Sequence, residues 1–266
     1  MDTWDLMKNW HVVLPPSRPS EEQLRRIERS ASRINRSEIV GILGSTPEFR
    51  DLLHELGFTR IHVLERNMRF YEAMGAWRVY QNEEHVVQGD WRETLRDLSS
   101  TYALLLSDLT SGNIPYSDRA AFYRLVSEAL QPGGVFCDKV LTHPGPPLSL
   151  DDLFAKYASL PLNLIHLNHF SCEALFCSEL IDETNVVDSS SFYGILEQRA
   201  TSERVSAFIR HAPLVTPLGG IWYYGKRWSE LERDYCPGLR RITVAEDYPD
   251  SPYYGRVKVF ELGRKA

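Results

Sequence analysis

Two clusters of residues in this chain have the types and spacing to do chemistry. The first is Gly44-Ser45-Thr46-Pro47-Glu48, which follows the apolar run Ile39-Val40-Gly41-Ile42-Leu43, with the acidic Glu65 standing 21 residues after Gly44. A glycine turn at the end of one strand and a carboxylate at the end of the next is how open α/β sheets hold a nucleoside, because a carboxylate can accept hydrogen bonds from both ribose hydroxyls. Around that turn Ser45 or Thr46 can cap the following helix, Pro47 suits its first turn, and Glu48 can close a capping box with Ser45. The second cluster is the polar loop Asp108-Leu109-Thr110-Ser111-Gly112-Asn113-Ile114-Pro115-Tyr116, at the end of a later apolar run. Such a loop opens onto the crevice where open sheets take their ligands.

Both clusters need a parallel sheet to bring them together, and the punctuation of the chain supplies one. Strand and helix patterns alternate: strands over 38–43, 60–64, 85–88, 102–106 and 135–141, and helices over 47–56, 66–73, 92–98 and 118–130. The turn Gln131-Pro132-Gly133-Gly134 leads into the fifth strand. Ahead of this core, 1–37 reads as a helical arm, broken at Leu14-Pro15-Pro16-Ser17-Arg18-Pro19 and restarted by Ser20-Glu21-Glu22 into a helix that runs to about residue 35. After the core (38–141) comes the linker His143-Pro144-Gly145-Pro146-Pro147, and 142–239 reads as a helical insertion with no convincing strand. The segment 240–266 closes the sheet as an antiparallel hairpin, with extended runs at 241–245 and 256–262 around the turn-rich 247–252.

Composition limits the classes of function. The chain has 266 residues, 43% hydrophobic and 25% charged, which is ordinary for a globular protein with a sizeable core. No apolar run has the length of a membrane span, and the start Met1-Asp2-Thr3-Trp4-Asp5 lacks the pattern of a secretory signal, so a cytoplasmic address is expected. The four cysteines, Cys137, Cys172, Cys177 and Cys236, form no CxxC pair, which argues against structural zinc and a disulfide framework. His166 and His169 are three apart without a third ligand at a telling distance, so no metal is expected. A net charge of −6 offers no general attraction to nucleic acid, and the basic segment from Arg25 to Arg36 reads as a solvated helix face.

Five segments in order resemble the motifs of the class I S-adenosylmethionine-dependent methyltransferases. Gly44-Ser45-Thr46-Pro47-Glu48 stands in place of the glycine-rich first motif, Val63-Leu64-Glu65-Arg66-Asn67 resembles the second and Gly89-Asp90-Trp91 the third. Leu105-Leu106-Ser107-Asp108 is similar to the fourth, and Leu130-Gln131-Pro132-Gly133-Gly134-Val135 to the turn before the fifth strand. The resemblance implies a Rossmann-like α/β sheet of seven strands with an antiparallel C-terminal hairpin, and S-adenosylmethionine as cofactor. It places Gly44, Ser45, Thr46, Glu65, Arg66, Asp90, Trp91 and Asp108 around that cofactor. In those roles Glu65 takes the ribose, Asp90 the adenine amine, Trp91 the purine face and Asp108 the methionine ammonium. The first motif departs from the family where Ile42, Thr46 and Glu48 replace an acidic residue and two glycines, at the positions that grip the methionine end.

Asn113-Ile114-Pro115-Tyr116 is similar to the Asn-x-Pro-Tyr loop of amino-group methyltransferases, set about five residues late. The likeness makes the Asn113 side chain and the Ile114 carbonyl acceptors for an amine, with Tyr116 pressed on the substrate. The expected activity is methyl transfer to nitrogen or oxygen of a small molecule, with nucleic acid disfavoured as substrate. The alternatives are closure of the cofactor's own α-amine onto its γ-carbon, as in azetidine-2-carboxylate synthases of this fold, aminocarboxypropyl transfer, and a non-catalytic nucleoside-binding role. The N-terminal arm, with Trp4 and Trp10, and the insertion are the candidate lids. The insertion contributes Tyr157, Phe170, Phe192, Tyr193, Trp222, Tyr223, Tyr224 and Trp228, of which only a few are expected to reach the pocket. A nicotinamide dehydrogenase is disfavoured, since Gly44-Ser45-Thr46-Pro47 is not GxGxxG.

Overall fold

The computed structural model describes residues 8–13, 15–142, 146–182, 184–216, 218–223, 228–235, 237–246 and 256–265. Trp4, Tyr224, Cys236, His143 to Gly145 of the linker and the turn at 247–252 lie outside the described residues, as does the side chain of Trp228.

The first five strands are β1 (Val40–Leu43), β2 (Ile61–Glu65), β3 (His85–Gln88), β4 (Tyr102–Asp108) and β5 (Leu130–Leu141). All pair in parallel, in the order β3-β2-β1-β4-β5. The near-continuous apolar runs of β1 and β4 are what a strand covered on both faces requires. Helices α1 (Glu21–Ala31) and α2 (Pro47–Glu55) cover one face, where Ile27, Phe49 and Leu53 meet Val40, Ile42 and Val63. Helix α5 (Tyr116–Ala129) covers the other with Phe122, Tyr123 and Val126. Short helices α3 (Met68–Gly75) and α4 (Trp91–Thr94) follow β2 and β3.

The sequence of crossovers reverses direction at β1, so β1 and β4 are hydrogen-bonded neighbours whose helices leave on opposite faces. That reversal opens a crevice at their carboxyl ends, the place where doubly wound sheets bind ligands. The sheet ends with β8 (Leu239–Glu246) and β9 (Val257–Arg264), an antiparallel pair in which β9 slots between β5 and β8. The seven-stranded sheet with its antiparallel closing hairpin is therefore the predicted one.

Between β5 and β8 the chain builds α6 (Leu150–Ala158), α7 (Leu164–Phe176), α8 (Ser189–Arg199), α9 (Glu203–His211) and α10 (Trp228–Tyr235). Tyr157 meets Phe170 and Phe208 edge to face in its centre, with Phe192 and Tyr193 buried nearby. The expectation of a strand-free insertion is corrected. Strands β6 (Val186–Asp188) and β7 (Ile221–Tyr223) form an antiparallel ribbon. Three residues are too few for a two-residue alternation to show in sequence, and the partners are far apart along the chain. No described helix is long and apolar enough to cross a membrane.

Candidate active site

The crevice at the β1–β4 boundary holds a cavity of about 580 Å³, within the range of about 300–1,000 Å³ usual for small-molecule sites. Its sheet side is made by the turns that leave the strands. Gly44 follows β1 with φ +97, a left-handed conformation open to glycine, and a Cβ there would meet no atom within 4 Å. The chain can therefore turn tightly into α2 while its backbone stays open to the cavity.

Glu65, at the end of β2, is only 6% exposed. Its Oε1 accepts from the Asn67 backbone N–H at 2.9 Å and its Oε2 from the Ser45 hydroxyl at 3.1 Å. Burial raises its pKa against the pull of those two hydrogen bonds. This geometry corrects the capping box expected around Ser45. Thr46, whose side chain makes no capping bond, is the N-cap of α2, and the Ser45 hydroxyl instead fixes the carboxylate plane.

Asp90 and Trp91 also line the cavity, each already engaged by the protein. Asp90 caps α4 through the Arg92 N–H and holds the Arg92 guanidinium with both oxygens at 2.9 Å, contacts that lower its pKa. The Trp91 ring donates from Nε1 to the Leu64 carbonyl at 2.8 Å, fixing its orientation beside β2. Arg66 is exposed at the rim.

At the end of β4, Asp108 is buried against the Lys139 ammonium of the neighbouring β5 position. Lys139 is fully buried, and its Nζ also donates to the carbonyls of Pro16 at 2.6 Å and Arg18 at 3.2 Å. Burial pushes Asp108 up while Lys139 pulls it down. Asp108, expected to orient an ammonium of the cofactor, thus carries a protein ammonium already. The next residue, Leu109, sits at φ 60 and ψ 17, a strained conformation for a branched residue and one that clusters at functional sites. The Leu109 N–H donates to the Lys139 carbonyl, and the Thr110 hydroxyl to the Leu43 carbonyl, so the loop is held from both neighbouring strands.

Asn113 and Ile114 reach the cavity wall, with the Asn113 side chain exposed. Two expectations for this loop change. The Ile114 carbonyl is approached from inside the protein by Arg119 at 3.5 Å, in a fan that also includes the carbonyls of Ser111 and Tyr223. Tyr116 does not line the cavity. Its hydroxyl donates to the Asn185 carbonyl at 2.9 Å, its ring stands edge-on to Tyr223, and Arg119 lies over it at 4.8 Å. The reason is position: Tyr116 opens α5, and the buried Arg119 one turn on draws its ring toward the insertion.

The far side of the cavity comes from the arm and the insertion. Trp10, Val13, Pro16 and Ser17 cover it from one direction, and Phe176, Val215, Thr216, Ile221 and Trp222 from another. Glu48 anchors the arm: its Oε1 accepts from Trp10 Nε1 at 2.9 Å and pairs with Arg18 Nε at 2.5 Å. Of the insertion aromatics foreseen, Trp222 reaches the cavity, while Tyr157, Phe170, Phe192 and Tyr193 are core. Phe176 and Lys139 were not anticipated. Lys139 left a signal, since Asp138-Lys139 interrupts a strand otherwise apolar from Val135 to Leu141. His166 turns its Nδ1 to the Pro161 carbonyl at 2.7 Å. Among the described residues no three His, Cys, Asp or Glu side chains gather as a metal site.

No protein-family model and no curated protein matches the sequence. Solved structures do resemble it. An S-adenosylmethionine-dependent methyltransferase from Mesorhizobium loti superposes with a TM-score of 0.52 at 13% identity, covering 91% of this chain and 98% of that one. A 1,6-didemethyltoxoflavin N1-methyltransferase from Burkholderia thailandensis, solved with 1,6-didemethyltoxoflavin and S-adenosylhomocysteine bound, has a TM-score of 0.52 at 12% identity, covering 98% and 88%. A Rhodobacter sphaeroides protein described as a zinc-dependent alcohol dehydrogenase reaches 0.58 at 12% identity, covering 99% and 100%. At such identities the likeness concerns the fold, which is the Rossmann-like fold of the class I methyltransferases.

Proposed function

We propose that the protein is an S-adenosylmethionine-dependent methyltransferase acting on a small molecule. The observation that carries this reading is Glu65: a buried carboxylate at the end of β2, held in one plane by Ser45 and Asn67 and lining a cavity at the β1–β4 reversal. A carboxylate has about four lone-pair sites, so beyond the bonds from Ser45 and Asn67 it keeps capacity that suits two adjacent ribose hydroxyls. The residues fit the cofactor: Gly44 leaves its backbone open, Trp91 offers a fixed ring and Asp90 a carboxylate beside it. When bound, the cofactor would supply an electrophilic methyl group on a sulfonium.

The chain's own part is to align and to exclude water, which is what an in-line displacement that neutralises charge requires. The arm, clamped by Glu48 and by Lys139, and the ribbon carrying Trp222 cover the crevice from two sides. Asn113 is the acceptor left in the loop for orienting a substrate. The test is incubation of the purified protein with S-adenosylmethionine and a panel of small acceptors, read by mass spectrometry and calorimetry. S-adenosylhomocysteine with a product heavier by one methylene supports the reading. Methylthioadenosine formed without an acceptor would overturn methyl transfer in favour of cyclisation, and absence of binding would remove the cofactor altogether.

A further inference from the structure

The two sides of the cavity differ in charge. Among the described lining residues, every charged side chain, Glu65, Arg66, Asp90, Arg92 and Asp108, comes from the strand-end turns of the sheet. The side built by the arm and the insertion presents Trp10, Val13, Ser17, Phe176, Thr216 and Trp222, none of them charged. Among the described residues of that side a charged acceptor would lose water and meet no counter-charge, a cost of several kcal/mol that a neutral molecule avoids.

The described lining also contains no His, Lys, Cys or Tyr. Its three carboxylates are engaged: Glu65 with Ser45 and Asn67, Asp90 with Arg92, and Asp108 with Lys139. A hydroxyl attacks a sulfonium methyl only as its proton is removed, so it needs a base at hand. An aliphatic amine is protonated at neutral pH and brings a charge for which the described residues of this side offer no partner. A nitrogen conjugated to an aromatic ring escapes both objections, since it is uncharged at neutral pH and already presents a lone pair. Shape agrees with this. The Trp222 ring is braced edge-on by Phe176, with centroids 5.6 Å apart. It lies so close to Gly220 that a Cβ there would overlap it. Trp10 supplies a second ring, tied by its Nε1 to Glu48.

Resting on the methyl-transfer reading above, we infer that the acceptor is an uncharged, planar aromatic amine, methylated on the ring-conjugated nitrogen. The nitrogen lone pair forms the new C–N bond to the methyl carbon. The C–S bond breaks with its electron pair staying on sulfur, so the sulfonium becomes a thioether. The proton displaced from nitrogen passes to water, because an N-methyl arylammonium is acidic enough to lose it at neutral pH without a base.

Two isomers of one size provide the test: 3-aminoquinoline is neutral at neutral pH, whereas 4-aminoquinoline is protonated. Calorimetric titration of the protein, with S-adenosylhomocysteine present and absent, is expected to show the neutral isomer binding at least about tenfold more tightly. Trp222→Ala, or Trp222→Leu if the first folds poorly, should weaken the neutral isomer about tenfold and leave S-adenosylhomocysteine affinity unchanged, which doubles as the folding control. Equal or tighter binding of the cation, no binding of either isomer, or full affinity in the Trp222 variants would overturn the inference. If S-adenosylhomocysteine itself does not bind the native protein, the cofactor reading fails and the inference falls with it. If it binds and the isomers are not distinguished, only the acceptor class is wrong.

Discussion

The two sides of the cavity are built in different ways. On the sheet side, polar groups are fixed by near neighbours in sequence: Asn67 on Glu65, Arg92 on Asp90, and Ser45 only one β-α-β unit from Glu65. On the opposite side, Trp10, Ser17, Phe176, Thr216 and Trp222 converge from three distant parts of the chain. Local geometry at strand ends can be inherited with the fold, because the turn and its hydrogen bonds travel together. A wall assembled from an arm and an insertion can change its chemistry without disturbing that geometry. On the proposed reading the cofactor lies against one side and the acceptor against the other, so their recognition is separable, and substitutions can test the separation.

Lys139 is the joint between the sides, so its loss should have the largest effect. Removing it would leave the Asp108 carboxylate buried without its cation and release the arm carbonyls of Pro16 and Arg18. Breaking one partner of a buried pair costs about 3–5 kcal/mol. Urea denaturation of Lys139→Met should show a loss of that size, and the double variant Asp108→Asn/Lys139→Met should recover part of it. An unchanged midpoint would mean that the arm is held without Lys139.

A smaller effect, confined to one side, is expected at Glu65. Hydrogen bonds to a charged group are worth about 1.5–3 kcal/mol each, so Glu65→Ala should weaken S-adenosylhomocysteine by about a hundredfold or more. Affinity for 3-aminoquinoline should stay within about twofold, since Glu65 lies on the sheet side. Loss of both affinities together would show that the sides are not independent.

The same division explains what could be read in the sequence. Glycine turns, strand-end carboxylates and βα alternation repeat over short windows, so the sheet, its closing hairpin and the placement of Glu65, Asp90 and Trp91 at the cavity were legible. The roles of Ser45, Glu48 and Tyr116 were not, because each is decided by a partner elsewhere: Glu65 for Ser45, Trp10 and Arg18 for Glu48, and Asn185 with Arg119 for Tyr116. Glu48 is instructive. Read as a departure from a glycine-rich pattern, it is in place an anchor for the arm. The Asp138-Lys139 pair shows the converse, a signal present in sequence but without meaning until alternation along β5 sends the Asp138 carboxylate to the Tyr123 hydroxyl at 2.8 Å and Lys139 to the arm.

The finest separation should come from Trp10. Trp10→Phe keeps an aromatic ring but removes the Nε1 donor to Glu48, whose other partner Arg18 remains. A single hydrogen bond contributes about 1 kcal/mol, so the arm should loosen rather than detach. Affinity for the neutral aminoquinoline should fall about fivefold, while S-adenosylhomocysteine, which the proposal seats across the crevice on Glu65, should bind as before. A drop in S-adenosylhomocysteine affinity of the same size would place Trp10 against the cofactor, and the arm would then belong to the sheet side of the comparison.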